Sequence, residues 1–279
     1  MIKSASQLKG KIKNLSGRDP KKAESYVRLF FMERFLERVS KSQYRDNFIL
    51  KGGLLTSSLL GIDLRTTMDI DTTVTAIDLN EEEIRRIIED ICSIEMDDNI
   101  SFKITSMETI MDDFEYPGVR VHLEGYFEGI RQPIKIDVST DDVITPSAIE
   151  YVYRLMFETR SIKLMSYNLE TLLAEKIQTV LDRGIANTRL RDYYDVYMIA
   201  DKAKFDMDVL RLAFSATCNK RNTVFDANQV ADILSLVEND DVIKGHWIKY
   251  SEKNEYVRNL EWQDVITGVK KTIQTIIAE

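Results

Sequence analysis

Cysteine and histidine are scarce in these 279 residues: two of each, at Cys92, Cys218, His122 and His246, with no C-x-x-C. A tetrahedral zinc site needs three or four such ligands, so the count argues against structural or catalytic zinc. It argues equally against a Ser-His-Asp hydrolase. Four prolines and 11 glycines leave little material for long flexible linkers. No apolar run approaches the roughly 20 residues of a membrane span, and the N-terminus lacks a continuous apolar stretch of the secretory type. The expectation is a cytoplasmic protein with no membrane contact. Positive charge is also in deficit, 38 basic residues against 46 acidic, a net charge of −8. That excludes a chain coated in positive charge for phosphate neutralisation, but it leaves room for a local basic groove on an acidic body.

What is present is an ordinary globular composition, 44% apolar and 9% aromatic. Residues 1–22 hold seven Lys or Arg against the single acid Asp19, either a solvated helical start or a nucleic-acid contact. Apolar residues from Ala23 to Val39 recur at helical spacing. Phe48-Ile49-Leu50 reads as a short strand running into Gly52-Gly53, and Leu54–Leu60 as a helix. Thr67–Thr75 alternates as a strand, and Asn80 caps a helix that opens on three Glu. Ile100–Thr105, Val119–Phe127 and Pro133–Val138 read as strands, the last two joined at Glu128-Gly129. Asp97-Asp98 and Asp112-Asp113 read as solvated turns. From about residue 150 the pattern is helical, at Asn168–Asp182, Asp192–Asp201, Asp206–Cys218, Ala227–Val237 and Glu261–Ile277. The expected organisation is α+β, an α/β domain over 1–150 and a helical domain over 151–279, with a site between them.

The chemistry-bearing residues lie mostly in the first half. Neither G-x-x-x-x-G-K-[ST] nor G-x-G-x-x-G occurs. Gly52-Gly53 at a strand–helix junction lets backbone approach a ligand and turns N–H groups toward an anion. Asp69 and Asp71, two apart on a strand, share a face. Facing carboxylates repel unless a cation sits between them. Asp137 interrupts the apolar strand Ile134–Val138, either as a strand end in water or as a third ligand. Three carboxylates suit Mg²⁺, a hard ion that prefers oxygen and substrate phosphate. Lys176 falls inside the apolar stripe Leu169, Leu172, Leu173, Val180, where it either snorkels or reaches an anion. Asp192 and Asp195, at i and i+3, follow Arg189 and Arg191, an arrangement that a helix cap and an Arg191–Asp195 pair would also explain.

In order and spacing, Leu50-Lys51-Gly52-Gly53, then Arg65-Thr66-Thr67-Met68-Asp69-Ile70-Asp71, then Ile136-Asp137-Val138 resemble the opening motifs of the nucleotidyltransferase superfamily. Lys176 in Leu-Leu-Ala-Glu-Lys and the segment Arg189–Asp195 resemble the two later motifs of its AbiEii subgroup. These are toxins of abortive-infection toxin–antitoxin systems, with the mycobacterial MenT toxins as relatives. The motifs span roughly residues 48–200. Two departures stand out: Leu54 follows Gly-Gly where a small hydroxyl residue is usual, and Arg191 stands in the place of a Lys.

The resemblance implies a nucleotidyltransferase-like mixed sheet followed by an all-α bundle. It implies Mg²⁺-dependent attack of an acceptor hydroxyl on the α-phosphorus of a nucleoside triphosphate, with release of pyrophosphate. Asp69, Asp71 and Asp137 would hold metal. Lys51, Gly52, Gly53, Arg65, Thr67, Arg189 and Arg191 would bind the nucleotide, and Lys176 and Asp192 would act in catalysis. The donor would be GTP or another nucleotide, the acceptor RNA at the 3′ end of tRNA, and the partner a genetically linked antitoxin in phage defence. Two alternatives stay open at this level: transfer to a small molecule or protein, and a nucleotide-binding regulator without turnover.

Overall fold

A computed structural model describes residues 1–61, 67–77, 80–111 and 117–277. The chain divides into two compact units. The first comprises Met1–Ser58, Thr66–Asp142 and Ala148–Ser166; the second comprises Leu59–Arg65, Val143–Ser147 and Tyr167–Glu279.

The first unit is built on a seven-stranded mixed sheet in the order β3-β4-β5-β2-β1-β7-β6. Its strands are β1 (Phe48–Lys51), β2 (Ile70–Val74), β3 (Ile100–Met111), β4 (Pro117–Phe127), β5 (Ile130–Thr140), β6 (Ile149–Arg154) and β7 (Ser161–Ser166). β2 runs parallel to β5 and β1 parallel to β7, while the remaining pairs are antiparallel. Helices α1 (Ala5–Ser16), α2 (Pro20–Lys41), α3 (Gly52–Leu60) and α4 (Glu81–Ser93) complete it.

Period-2 alternation sorts the sheet into two faces. Val119, Val121 and Leu123 of β4 and Ile134, Ile136 and Val138 of β5 are all buried. On this face a Cβ at Gly125 would meet the Phe31 ring of α2 at 2.3 Å, so glycine is what lets α2 lie against the strand. Phe30 and Phe31 of α2 make ring contacts with Phe127, Phe157 and Phe102. The odd-numbered residues of β5, among them Lys135 and Asp137, turn to the other face.

Glu128 and Gly129 both take positive φ, 43° and 82°, and close the expected β4–β5 hairpin in two residues. β3 carries an irregularity between Ile104 and Ser106. It shifts the alternation, so that Glu108 faces the same way as Arg120.

Asp98 corrects the reading of Asp97-Asp98 as a solvated turn. It is fully buried, and both of its carboxylate oxygens accept from Arg38 of α2 at 2.9 Å. Asp112-Asp113 lie outside the described residues. β6 and β7 follow the point where the sequence pattern had turned helical, and α1 forms within the basic stretch, anchored by buried Ala5, Leu8 and Ile12.

The second unit is helical: α5 (Leu169–Arg183), α6 (Leu190–Lys202), α7 (Met207–Lys220), α8 (Ala227–Asn239), α9 (Asp241–Lys253) and α10 (Trp262–Ile277). Asn168, Asp206 and Asp226 cap α5, α7 and α8 with side-chain oxygens. The expected α10 stripe of Trp262, Val265, Ile266, Val269, Ile273 and Ile276 is buried throughout. Among the described residues no helix is long and apolar enough to cross a membrane.

Candidate active site

Strand register assembles the carboxylates. Asp71 of β2 lies opposite Asp137 of β5 across a parallel pair, and Asp69 directly precedes β2. One oxygen from each of Asp69, Asp71 and Asp137 can be chosen so that all three lie within 4.8 Å of one another. The three acids read from the sequence therefore form one cluster.

The row continues on both sides. Lys51 of β1 pairs in register with Asp71, Arg120 of β4 with Asp137, and Glu108 of β3 with Arg120. Lys51, Asp71, Asp137, Arg120 and Glu108 thus cross five strands on one face, two adjacent anions bracketed by cations.

Each acid is held differently. Asp71 accepts a hydrogen bond from the Gly53 backbone N–H at 3.0 Å. Gly52 has φ +64°, and a Cβ there would stand 2.0 Å from the Asp71 carboxylate oxygen. The glycine pair therefore makes room for Asp71 and seats it, a task beyond the anion cradle that the sequence suggests. Burial, then the Asp69 charge, and more weakly Asp137, push the Asp71 carboxyl up to about 6 against the pull of Gly53 and Lys51. Asp69 is steadied by the Thr67 hydroxyl, which donates to its backbone carbonyl at 3.2 Å. Lys135 Nζ stands 3.9 Å from Asp69 Oδ2. Asp137 accepts two hydrogen bonds from Arg120, Nε to Oδ1 and Nη2 to Oδ2, both 2.8 Å.

Arg120 was missed, although the sequence held the signal. A two-residue turn at Glu128-Gly129 pairs Phe127 with Ile130, and counting seven residues outward along each strand sets Arg120 against Asp137. The Lys51 ammonium pairs with Asp142, which also accepts from Ser139. The hydroxyls after the Gly-Gly, Thr56 and Ser57, donate back to the carbonyls of Gly52 and Gly53. Arg65 lies outside the described residues.

The later motif residues cluster within the helical unit. Lys176 of α5 is mostly buried and pairs with Asp195 at 2.7 Å and Asp192 at 3.3 Å, both on α6. Its position in an apolar stripe is thereby explained by two carboxylates, one of them, Asp195, fully buried. Asp192 sits in the first turn of α6 rather than at its cap, which is Arg189. Arg191 lies among Tyr250, Tyr256 and Asp195, the two phenols 2.5 Å apart.

The donor set at Asp69, Asp71 and Asp137 fits a hard divalent cation. It offers oxygen only, in a cluster where burial first, and then the neighbouring carboxylate charges, push Asp71 up to about 6, a cost that a bound cation would offset.

Known proteins share the fold and the family. JHP933 from Helicobacter pylori shares the fold at a TM-score of 0.50 and 11% identity, over 91% of this chain and 92% of that one. A second H. pylori protein, named as a candidate nucleotidyltransferase, does so at a TM-score of 0.50 and 14% identity, over 88% and 92%. No curated protein sequence matches the chain. The family described as “Nucleotidyl transferase AbiEii toxin, Type IV TA system” matches residues 34–268. With most of its length covered, the chain belongs to the AbiEii family of nucleotidyl transferase toxins and is a nucleotidyltransferase.

Proposed function

We propose that the chain is the toxin of a toxin–antitoxin pair acting in phage defence, and that it transfers a nucleotide from a nucleoside triphosphate, with GTP the first donor to try, to RNA at the tRNA 3′ end. The observation that carries this reading is the three-carboxylate cluster across β2 and β5. Asp69, Asp71 and Asp137 would hold Mg²⁺. Bound there, the cation would supply Lewis-acid charge stabilisation to phosphate oxygens.

The chain's own residues divide the remaining work. Gly52 and Gly53 fix Asp71, and Thr67 orients the backbone at Asp69. Lys51, Arg65, Arg189 and Arg191 are assigned to nucleotide binding, and Lys176 to offsetting charge that develops on the phosphates. Asp192 keeps Lys176 in place. The acceptor hydroxyl attacks the α-phosphorus, the bond to the bridging oxygen breaks, and pyrophosphate leaves. Asp137 either receives the hydroxyl proton or shares the cation. The assignments of Lys176, Asp192, Arg189 and Arg191 are supported by their motifs.

The test is incubation of wild type and Asp69→Ala with each of four labelled nucleotides, Mg²⁺ and total RNA, beside growth of expressing cells. Label at RNA ends with wild type alone, together with growth arrest by wild type alone, is the expected result. No label with any nucleotide, while Asp69→Ala still relieves growth arrest, would move the acceptor away from RNA. The net charge of −8 favours that second reading, transfer to a small molecule or a protein.

A further inference from the structure

Among the three acids of the cluster, Asp137 alone has both oxygens engaged by a guanidinium. Such bidentate, charge-assisted pairs are among the stronger polar contacts in proteins. Asp71 is held through one oxygen by a backbone N–H, and the Lys135 ammonium stands 3.9 Å from Asp69, outside hydrogen-bond range. A cation that used all three acids would share Asp137 with a guanidinium that already holds both of its oxygens, and the two positive charges would compete for that carboxylate.

Arg120 has somewhere to go. Its Nη1 lies 3.8 Å from Glu108 Oε1, and its side chain is 30% exposed. Glu108 is its register partner on the far side, so a short swing keeps the guanidinium paired while freeing Asp137. The exchange does not strand a buried charge, which is what makes such moves costly.

We propose that Arg120 is a positioning residue that sets the divalent-cation affinity of the cluster, by occupying both oxygens of Asp137 and exchanging onto Glu108 when the cation takes them. The proposal rests on reading the carboxylate cluster as a metal site.

The experiment is titration with Mn²⁺, an oxygen-preferring probe ion, followed by the loss of the free-ion EPR signal. It is run without nucleotide on wild type, Asp71→Asn, Arg120→Met and Arg120→Lys. Arg120→Met is expected to bind Mn²⁺ at least about tenfold more tightly, since the competing bidentate pair is gone. Arg120→Lys keeps the charge but loses the fork, so its affinity should fall between the two. It also decides the matter if the Met variant fails to fold.

Asp71-dependent binding by wild type, with both Arg120 variants equal to it or weaker, overturns the proposal and leaves the metal reading intact. Mn²⁺ binding by none of the proteins overturns both.

Discussion

At the scale of single residues, Gly52 leaves the space in which the Asp71 carboxylate stands. Its φ of +64° is costly for any side chain, and a Cβ would stand where the Asp71 carboxylate oxygen now sits, 2.0 Å away. Gly52→Ala must displace Asp71 or unwind the start of α3. We expect a loss of about 2 kcal/mol in stability and a fall in transfer rate of about a hundredfold, the usual consequence of misplacing a reacting group by an ångström. Denaturant melts and single-turnover label transfer read the two effects separately, and an Ala variant that transfers at the wild-type rate would remove Gly52 from this role. Glu33 of α2 makes a different prediction. Burial pushes its carboxyl up to about 8, against a hydrogen bond from the Met156 N–H and the charge of Arg34. A carboxyl raised in the folded state stabilises the fold fully below its unfolded value of 4.5, and that contribution is lost as pH rises through about 8. Glu33→Gln keeps the acceptor and removes the titration. Its melting temperature should match wild type at acidic pH and exceed it increasingly between about pH 4.5 and about pH 8. A gap that stays constant with pH would show that Glu33 does not titrate in this window.

At the scale of elements, the parts legible in the sequence are those whose signal is local. Asn80, Asn168 and Asp206 announce their helices because a cap is satisfied within three residues. The α10 stripe is equally readable because every member points to one core. β7 alternates buried Ile162 and Leu164 with exposed Ser161 and Lys163, a clean period-2 pattern of only six residues that neighbouring helical signals obscured. β6 is an edge strand with one buried residue, Tyr153, and gives almost no alternation to read. α9 buries Ile243 and Trp247 alone, too narrow a stripe to register. Asp98 was unreadable for a different reason: a pair of acids at a turn looks solvated until Arg38, sixty residues away, is seen to reach it. That long-range pair ties α2 to the start of β3, where Arg38 also donates to the Ile100 carbonyl. Asp98→Ala leaves the buried guanidinium without its counter-ion, and such single deletions cost about 3–5 kcal/mol. Chemical denaturation should show a loss of that size. A loss below about 1 kcal/mol, the scale of an exposed pair, would mean that Arg38 finds water or another acceptor.

At the scale of the whole molecule, where the charges sit decides whether an acid excess is compatible with the proposed RNA acceptor. Part of the −8 belongs to Asp69, Asp71 and Asp137, which a cation would offset on loading. The basic residues of the N-terminal stretch are outward-facing: Lys9 and Lys13 lie on the exposed side of α1, whose other side buries Ala5, Leu8 and Ile12, and Arg18 and Lys21 follow at the turn into α2. Lys11 is set apart because its ammonium donates to the Phe157 carbonyl. If RNA is the acceptor, a local patch of this kind must supply the phosphate contacts that the net charge cannot. The combined variant Lys9→Glu, Lys13→Glu, Arg18→Glu, Lys21→Glu changes exposed side chains only. We expect it to raise the KM for RNA by about tenfold or more at moderate salt and to flatten the salt dependence of that KM, since each lost phosphate contact removes roughly one released counter-ion. The KM for the nucleotide should stay unchanged, because the carboxylate cluster and its register are untouched. An unaltered RNA KM with an unaltered salt slope would mean that no RNA crosses this patch. Label transfer to a small-molecule or protein acceptor by the same variant, at the wild-type rate, would then identify the acceptor class by the charge it does not require.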